Sequence, residues 1–528
     1  MMTPRSWRAA AALRRTFFLA FVPGLALWLC HSRASAQEAG GLAAAAAIQD
    51  VFVKVIESAE RSVVSISRDR RSAVAHIENR PFIQGRGLVQ EPSPSDPNWV
   101  PNEFGAGIII DRNGLVLTNY HLVRGGPVEG KPDQKAEQTL YVRLSDRRGF
   151  EAKIFAADPR SDLAVLKIPA ADLVPLKLGA TTPIRKGQFV IALGNPYAIA
   201  RDGSASATWG IIGNVSRQAM LEGDRLDPEY QKKHTVHHLG TLLQIDTRLD
   251  LGTSGGALLN LKGELIGMTT SLAAIVGYEK SAGFAIPFDD SMKRIIESLR
   301  QGKEVEYGFL GIQPGEITPA QAASPEWAAV FARIKQNGAA RIEQIVPNLP
   351  AHRGGLAEGD LVLRVGDKPI FNQNDLMREV GLVAPGTVVK IRIFRPLSPL
   401  EVGRETDVDV EVGKWPAIDE EGIIATNPVR EQWQGIVYDY STARKRFLPL
   451  TPMRLPPGVR VMEVKPGSQA AAKGILPGDL ITQVKGTAVR SPREFAEAVE
   501  NAAGQVTLKI STPSDRSAMD RDVVLKAR

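Results

Sequence analysis

The central part of the chain, from Gly105 to Pro287, is a succession of short apolar runs separated by turn-forming residues. These runs read GIIID, LVLTN, LYVRL, LAVLKI, QFVIALG, LLQID and GFAIP. The residues between them show almost no helical periodicity, and strands at this spacing are typical of all-β barrels and sandwiches. We therefore predict a mainly β domain, preceded by a first strand at Ser62–Ser67 and a long polar surface loop over residues 68–103.

Two segments carry the end signals of short helices. The segment Asp289–Gly302 places its apolar side chains on one helical face, begins with Asp and ends with Gly, so we predict a helix that closes the β domain. Near the C-terminus, Ser491, Pro492 and Glu494 form the capping-box pattern of another helix. The alanine-rich segment 43–47 is compatible with either a helix or disorder.

The C-terminal part of the chain contains an internal repeat. Residues 351–370, AHRGGLAEGDLVLRVGDKPI, match residues 470–489, AAAKGILPGDLITQVKGTAV, with glycines and an aspartate in register. Each copy continues into a predicted helix and then a strand. We therefore predict two small α+β modules, at residues 305–413 and 431–528, joined by a linker at residues 414–430.

The first 36 residues are typical of an export signal. Arginines precede an apolar run at Thr16–Cys30, and Ala34–Ala36 offers small residues for cleavage. The run is shorter than the roughly 20 residues that span a bilayer and Pro23 interrupts it, which favours cleavage over an uncleaved anchor. We expect an exported protein, in the periplasm or elsewhere in the cell envelope, that contacts a membrane only if the signal is retained.

Removal of the signal changes the charge of the chain. The formal net charge is +7, and the signal contains five arginines but no Lys, Asp or Glu, so the mature chain carries +2. This small surplus does not favour nucleic-acid binding. The single cysteine, Cys30, leaves with the signal, so we expect domains stabilised by burial without disulfides.

Ser254 lies in the glycine-rich sequence LGTSGGAL, which indicates either a nucleophile or a tight turn. A serine nucleophile needs a base to remove its proton and an acid to orient that base. GTSGG fits the G-x-S-x-G elbow of α/β-hydrolases, in which the histidine follows the serine. The only histidine after Ser254 is His352, inside the first repeat, and a βαβ pattern is missing, so we exclude that fold.

Two residues upstream are better partners for the serine. His121 follows an apolar strand in VLTNYHLV, and Asp162 precedes another in DPRSDLAVLKI. Singly, each is more often a structural polar or turn residue. Together, the order His, Asp, Ser on a β-barrel chain is that of trypsin-like proteases.

These sequences, followed by GTSGGALLNLKGELIGMTT and SAGFAIP, resemble the trypsin-like domain of the HtrA family of exported serine proteases. The resemblance covers most of residues 50–300, and the two repeats resemble the PDZ domains of that family. It implies a mainly β fold: a trypsin-like double β-barrel over about residues 50–302, then two α+β PDZ domains. The segment 37–104 supplies the first strand and the long loop, and residues 105–302 supply the remainder of the barrels.

The resemblance also implies the roles of individual residues. Ser254 would be the nucleophile, His121 the general base and Asp162 the acid that orients it. The backbone N–H groups of Gly252 and Ser254 would form the oxyanion hole, and glycine at 252 lets the backbone turn its amide toward the substrate oxygen. The resemblance implies no metal or other cofactor.

The loop before the nucleophile departs from the usual family pattern. Where NPGNSGG is common, this chain has DLGTSGG, with Asp250, Leu251 and Thr253 replacing Asn, Pro and Asn. Loss of the proline predicts an oxyanion loop that substrate or an effector must order. Arg248 and Leu249 lie where the wall of the substrate pocket is expected; we predict a preference for small or medium apolar side chains, against which Arg248 argues.

Two other features lie near the predicted site. Tyr120 stands beside His121 where Asn is commoner. The charged segment 213–241, predicted to be a long loop, contains three histidines: His234, His237 and His238. With no cysteine and no H-E-x-x-H sequence, we interpret them as a solvated surface rather than a metal site.

The first module contains a candidate peptide-binding loop, YGFLGI at Tyr307–Ile312. PDZ domains add a C-terminal peptide as an extra strand and hold its carboxylate with backbone N–H groups. The residues predicted to do so are Gly308, Phe309, Leu310 and Gly311, and a helix near residues 375–382 would form the other groove wall. The alternative is a strand-turn with buried apolar side chains. The corresponding WQGIVY, Trp433–Tyr438, matches less well, which favours docking or assembly by the second module.

The resulting functional expectation is an ATP-independent serine endopeptidase that cleaves unfolded or misfolded envelope proteins. Its PDZ domains would recruit substrates or relay a signal from C-terminal peptides bound to the first domain, and the family resemblance implies a homo-oligomer, a trimer or a multiple of it. Two alternatives stay open. One is a chaperone or scaffold on a protease fold without turnover, and the other is a site-specific signalling protease gated by one peptide.

Overall fold

The computed structural model describes most of the chain, and all structural statements below refer to these parts. The described residues are 41–71, 103–124, 127–128, 131–135, 137–179, 183–195, 203–219, 234–249, 252–271, 283–396, 403–428, 431–448, 457–500, 502–512 and 519–527. The predicted signal, most of the predicted loop at residues 68–103, and Asp250 and Leu251 lie outside them. Within these ranges, every helix is too short or too polar to cross a lipid bilayer.

The chain divides into two compact units. The first includes helix α1 (residues 41–59), so the alanine-rich start, for which the sequence left two possibilities, is helical. The Ser58 hydroxyl donates a hydrogen bond to the carbonyl of Val55 in this helix. The second unit contains residues 60–260 and 264–528, which carry the strands described next.

A closed six-stranded antiparallel barrel begins the second unit. Its strands are β1 (Val63–Arg71), β2 (Glu103–Asp111), β3 (Leu115–Asn119), β6 (Glu137–Arg143), β7 (Gly149–Asp158) and β8 (Leu163–Lys167), while β4 (Pro127–Val128) and β5 (Lys131–Lys135) form a separate pair. The barrel order is β7-β6-β1-β2-β3-β8, and β7 pairs with β8 to close it. A one-turn helix, α2 (Tyr120–Val123), follows β3. Every residue of β3 is buried, as expected for a continuous apolar run.

A second closed barrel follows. Its strands are β9 (Phe189–Gly194), β10 (Ser206–Arg217), β11 (Leu242–Ile245), β12 (Ala257–Leu259), β13 (Leu265–Thr270) and β14 (Gly283–Pro287), in the order β10-β11-β14-β13-β12-β9. The prediction of one long loop over residues 213–241 is wrong at both ends of this segment. Residues 213–217 continue β10 and pair with β11, and Val236–Leu239 form a 3₁₀ helix. The mainly β, double-barrel prediction is confirmed.

The predicted helix after the barrels is α3 (Asp290–Arg300). Asp289 is its N-cap, and its carboxylate accepts a hydrogen bond from the Met292 N–H at 2.9 Å. This bond satisfies one of the free amide groups of the first turn. The apolar face is buried as predicted, with Met292, Ile295, Ile296 and Leu299 pointing inward.

The first repeat folds as an α+β module. Its strands are β15 (Gly308–Phe309), β16 (Ile312–Glu316), β17 (Ala340–Ile345), β18 (Leu361–Val365), β19 (Lys368–Pro369), β20 (Val388–Arg395) and β21 (Arg404–Glu411). Its helices are α4 (Pro319–Ala322), α5 (Pro325–Ile334), α6 (Pro350–Arg353) and α7 (Gln373–Gly381). The sheet order is β16-β17-β18-β20-β21, so β16 lies at an edge, and α7 packs beside it.

The second repeat has the same succession of elements except for α4 and α5, which have no counterpart among its described residues. Between the modules lie β22 (Gly413–Lys414) and β23 (Ile424–Ala425), and the second module contains β24 (Gln432–Trp433), β25 (Ile436–Tyr440), β26 (Val459–Val464), α8 (Gln469–Ala472), β27 (Leu480–Val484), β28 (Thr487–Ala488), α9 (Pro492–Glu500), β29 (Gln505–Thr512) and β30 (Met519–Lys526). Ser491 caps α9 by accepting from the Glu494 N–H. The Glu494 carboxylate accepts in return from the N–H of Arg490, one residue earlier than a standard capping box requires.

The described part of the segment predicted as a linker, residues 414–428 of 414–430, belongs to the folded structure. β22 pairs with β15 of the first module. β23 adds a seventh strand to the first barrel by pairing with β7, where Ile424 lies opposite Ala157. Each of these strands is only two residues long, so neither produces a periodic pattern that sequence reasoning could use.

Candidate active site

His121 and Asp162 lie at the ends of two neighbouring strands. β3 pairs with β8, with Asn119 opposite Leu163, so the residues that follow β3 meet the residue that precedes β8. The Tyr120 N–H also donates to the carbonyl of Asp162 at 2.9 Å. Strand pairing therefore brings together two residues that lie 41 positions apart.

The His121 imidazole is held by the Asp162 carboxylate. His121 Nδ1 lies 2.8 Å from Oδ2 and 3.1 Å from Oδ1, and the backbone N–H of His121 donates to Oδ1 at 3.0 Å. Because a carboxylate accepts hydrogen bonds, the proton belongs on Nδ1 and the lone pair on Nε2. Nε2 is buried and has no hydrogen-bond partner within the described residues.

Asn119 is a site residue that the sequence reasoning missed. Its side-chain NH₂ group donates to Asp162 Oδ2 at 3.0 Å and to the Asp162 carbonyl at 3.3 Å. Asn119 is fully buried at the end of β3. The available signal was a polar residue that follows Thr118 at the end of a buried strand, because buried polar groups need partners.

The loop around Ser254 is tethered to both barrels. The carbonyl of Ser254 accepts from the N–H of Ala106 in β2 at 2.8 Å. In the second barrel, Gly255 N–H donates to the carbonyl of Thr269, and the Thr269 hydroxyl donates to the carbonyl of Thr253 at 2.6 Å. These bonds fix the Ser254 backbone at the boundary of the two barrels.

The Ser254 hydroxyl is engaged by the backbone. Its Oγ accepts a hydrogen bond from the N–H of Ser271 at 3.0 Å, and the side chain is almost buried. Together with the unpaired Nε2 of His121, this arrangement leaves the serine and the imidazole without a mutual hydrogen bond. In this conformation the Ser254 hydroxyl does not donate a hydrogen bond to the His121 imidazole.

Gly252 supplies a backbone geometry that other residues disfavour. Its φ is +93°, and a Cβ there would lie 2.5 Å from both the Asn195 carbonyl oxygen and the Phe104 ring. Within the described residues, neither the Gly252 N–H nor the Ser254 N–H donates a hydrogen bond to a backbone carbonyl. Asn195 is buried, and its side-chain NH₂ group donates to Ser65 Oγ at 2.6 Å.

Arg248 and Leu249 line a small cavity beside the nucleophile loop. The cavity is otherwise lined by residues with mostly small side chains: Ala192, Leu193, Gly194, Ser206, Thr208, Thr253 and Thr269. Leu249 packs against the core of the second barrel, whereas Arg248 is largely exposed. The two predicted pocket residues therefore share one cavity.

The chain matches known proteases over most of its length. A family model for the trypsin-like peptidase domain matches residues 105–268, and one for the PDZ domain matches residues 460–511. A probable periplasmic serine endoprotease, DegP-like, of Halomonas elongata is 31% identical over 90% of this chain and 92% of its own length. The chain belongs to this family of DegP-like serine endoproteases.

A second DegP-like relative supports the same assignment. The DegP-like protein of Pseudomonas fluorescens is 30% identical over 84% of this chain and 87% of its own length. Among solved structures, the HtrA-type protease AlgW with a tripeptide is 24% identical, covers 70% of this chain and 99% of its own, and has a TM-score of 0.47. The relatives confirm the predicted serine protease class, and their periplasmic names confirm the predicted export.

The histidines of this DegP-like protease are not a solvated cluster, so that prediction is wrong. His237 is fully buried, and burial lowers its pKa to about 4. His238 is half-buried, and its ring stacks on that of His234 at 4.6 Å. In the part of the chain that the structure describes, His, Cys, Asp and Glu side chains form no group suited to a metal ion.

The fold explains why a residue as large as tyrosine fits at position 120. Its ring packs in the core of the first barrel. Burial, followed by the charge of Asp419, raises the pKa of its hydroxyl. That hydroxyl reaches the segment between the PDZ-like modules, where a Cβ on Gly422 would lie 2.4 Å from it. A shorter Asn side chain at position 120 would not extend so far.

The predicted peptide-binding loop borders the edge of the first module. Gly308 and Phe309 form β15, while Leu310 is buried, as the strand-turn alternative also requires. Gly311 has a φ of +77° and packs against Leu349. The loop leads directly into β16, which pairs only with β17 among the described strands. The groove between β16 and α7 therefore has an open strand edge.

The same loop contacts the turn that carries Asp162. The Tyr307 hydroxyl donates to the carboxylate of Asp158, and burial raises the pKa of both groups. The Arg160 guanidinium lies 5.0 Å from the ring centre of Tyr307 and 4.3 Å from that of Trp415. The first module is thus joined to the active-site side of the first barrel by hydrogen bonding and cation–π contact.

Proposed function

We propose that His121, Asp162 and Ser254 are the catalytic triad of this protease. The observation that carries the proposal is the 2.8 Å contact between His121 Nδ1 and Asp162, which leaves a buried Nε2 with no hydrogen-bond partner among the described residues. A neutral imidazole in this tautomer is the base that a serine hydroxyl requires. Three hydrogen bonds to the Asp162 carboxylate, two from His121 and one from Asn119, support its orienting role.

The residues then perform acyl transfer in two steps. His121 Nε2 takes the Ser254 proton while Oγ attacks the carbonyl carbon of the scissile peptide. The N–H groups of Gly252 and Ser254 donate to the resulting oxyanion, and His121 gives the proton to the leaving amine. Water, activated by the same imidazole, hydrolyses the acyl-enzyme, and the Asp162 carboxylate stabilises the transient imidazolium.

The Ser254 hydroxyl has to rotate before this reaction can start. In the described conformation it accepts from Ser271 N–H, so its oxygen must leave that donor and turn toward His121. Substrate that occupies the site could drive the change. This supports the expectation of a resting active site that a ligand completes, although Asp250 and Leu251, on which that expectation was based, lie outside the described residues.

We propose unfolded proteins as substrates, with small or medium apolar side chains before the scissile bond. The support is the cavity beside Thr253, whose walls include Ala192, Gly194 and Thr208. Such a site suits extended, unstructured chains rather than folded surfaces. Exposed Arg248 remains the feature that argues against a purely apolar preference.

We propose that the first PDZ-like module binds C-terminal peptides as a strand added to β16. The open edge of β16 and the neighbouring α7 support this mode of binding. The second module differs, because β24 already pairs with β25 and Trp433 packs edge-on against Phe495 of α9. Because β24 covers the edge of β25, a peptide strand cannot be added there, which supports a role of the second module in docking or assembly.

A homo-oligomer, a trimer or a multiple of it, remains the proposed assembly. Trp209 is 61% exposed on β10 and its ring lies 6.2 Å from that of Phe189, which supports a contact surface on the second barrel. Light scattering of the full-length mature chain measures the mass directly. A monomer at all concentrations would contradict the proposal.

The decisive experiment compares hydrolysis of unfolded casein by the wild type and by Ser254→Ala. We expect cleavage by the wild type alone. Equal rates of cleavage would overturn the triad. No cleavage by either protein at elevated temperature, with or without a C-terminal peptide, would favour the chaperone alternative, which the engaged Ser254 hydroxyl also supports. A C-terminal peptide and its amidated copy test gating: a protease that cleaves casein only with the free carboxylate present is the signalling alternative.

A further inference from the structure

Asp162 occupies a strained position at the end of a tight turn. Its φ is +55°, a region that costs a non-glycine residue about 1 kcal/mol or more. The turn, residues 158–162, begins at Asp158, whose carboxylate accepts from the Ser161 N–H at 2.9 Å. This Asp162 turn must be held by its surroundings, because the preferred conformations of an aspartate would direct the carboxylate elsewhere.

The 3₁₀ helix Val236–Leu239 supplies that support. The Val236 N–H donates to the carbonyl of Arg160 at 2.8 Å. His237 Nε2 lies 2.8 Å from the carbonyl oxygen of Ser161. Two consecutive residues of the helix therefore bind two consecutive carbonyls of the Asp162 turn.

The second of these bonds acts on the peptide unit next to Asp162. The Ser161 carbonyl and the Asp162 N–H belong to the same planar group, so they rotate together. Fixing the carbonyl direction also fixes φ of Asp162, and with it the direction of the side chain. The bond to His237 therefore controls where the carboxylate points.

The His237 ring is held in the state that can donate this bond. A carbonyl oxygen only accepts, so Nε2 carries the proton, and Nδ1 lies 2.5 Å from the hydroxyl of Thr241, which can donate to it. Burial lowers the pKa of His237 to about 4, so the ring is neutral at neutral pH. The helix cap adds rigidity, because the Thr235 hydroxyl accepts from the His237 N–H.

We infer that His237 is a positioning residue for the reaction: through the Ser161 carbonyl it aims the Asp162 carboxylate at His121. The inference rests on the proposed triad and assigns no chemical step to His237. It differs from a purely structural role because it affects the rate of the bond-breaking step rather than substrate binding. Small misplacements of catalytic groups cost up to about 100-fold in rate.

The test uses the full-length mature protein with two substitutions of His237. His237→Gln keeps an N–H donor near the place of Nε2, whereas His237→Leu fills the same space without a donor. We expect His237→Leu to lower kcat by about 10- to 100-fold with KM within about twofold, and His237→Gln to recover most of the loss.

His238→Leu is the matched control. His238 lies in the same helix and its Nδ1 binds Thr235, so the variant perturbs the helix without removing a donor to the Asp162 turn. We expect nearly wild-type kcat from this variant, even with a lowered Tm. Equal losses of kcat in His238→Leu and His237→Leu, or in His237→Gln and His237→Leu, would overturn the inference and indicate a structural role.

Ser254→Ala, measured in parallel, separates the two proposals. If Ser254→Ala is inactive while His237→Leu cleaves casein at the wild-type rate, only the role of His237 fails. If Ser254→Ala retains the wild-type rate, the triad itself fails, and the positioning role fails with it.

Discussion

The hydroxyl of Tyr307 donates a hydrogen bond to the buried carboxylate of Asp158, across the boundary between the first PDZ-like module and the first barrel. Tyr307 begins the candidate carboxylate-binding loop, and Asp158 begins the turn that ends at Asp162. The α7 wall of the groove makes a second contact, from Arg378 Nη1 to the carbonyl of Leu239 at 3.0 Å. The peptide groove and the triad are therefore connected through two short chains of residues.

Tyr307→Phe should weaken this connection. The substitution keeps the ring beneath Arg160 but leaves the Asp158 carboxylate with one donor fewer, and an unsatisfied buried group costs about 1–3 kcal/mol. We expect a Tm lower by several degrees, measured by calorimetry, and a smaller stimulation of casein cleavage by a C-terminal peptide. A variant with unchanged Tm and unchanged stimulation would show that the bond has no role.

Gly252→Ala should impair catalysis rather than folding. A Cβ at a φ of +93° would meet the Asn195 carbonyl and the Phe104 ring, so the amide of residue 252 must move. Loss of one oxyanion donor costs about 10²–10³ in kcat. Steady-state kinetics check this, with Gly213→Ala as the control, because its Cβ would meet only the Gln244 carbonyl oxygen, at 3.6 Å. Comparable kcat values for the two variants would contradict the oxyanion assignment.

Asn119→Leu should lower kcat and leave KM nearly unchanged. The leucine preserves volume in β3 but removes the NH₂ group that binds Asp162. The carboxylate keeps its bonds to His121, so we expect a loss of about tenfold rather than the ~10⁴-fold loss that follows removal of a triad acid's function. Kinetics on a fluorogenic peptide measure it; a raised KM with unchanged kcat would place Asn119 outside the catalytic machinery.

Stability should decrease in acid because His237 is buried. The unfolded chain protonates this imidazole near its ordinary pKa of 6.5, whereas the folded protein does so only near 4. Between these pH values the unfolded state binds more protons, so lowering the pH favours unfolding. The shift corresponds to about 3 kcal/mol. Denaturant titrations of the wild type and His237→Gln from pH 7 to pH 4 test this; an equal decrease in both proteins would contradict it.

Much of the fold could be predicted from sequence, and the proposed triad was selected from the sequence alone. The strands of the barrels could be predicted because apolar runs and turn residues determine local structure within a few positions of the chain. The Asp289 cap of α3 is an equally local feature. His121, Asp162 and Ser254 were accessible through their order along the chain. Their hydrogen bonds, and the engagement of Ser254 by Ser271, were not.

Only the tertiary structure decided the environment of these residues. His237 is buried because its ring meets the Ser161 carbonyl, 76 positions away, and Tyr307 meets Asp158 across 149 positions. The two-residue strands between the modules likewise depend on distant segments, because β22 pairs with β15 and β23 pairs with the end of β7 that lies beyond its pairing with β6. The sequence by itself determined which segments form strands and which residues can react, because those properties are local. Burial, orientation and protonation depend on distant segments, so they were decided only when the chain folded.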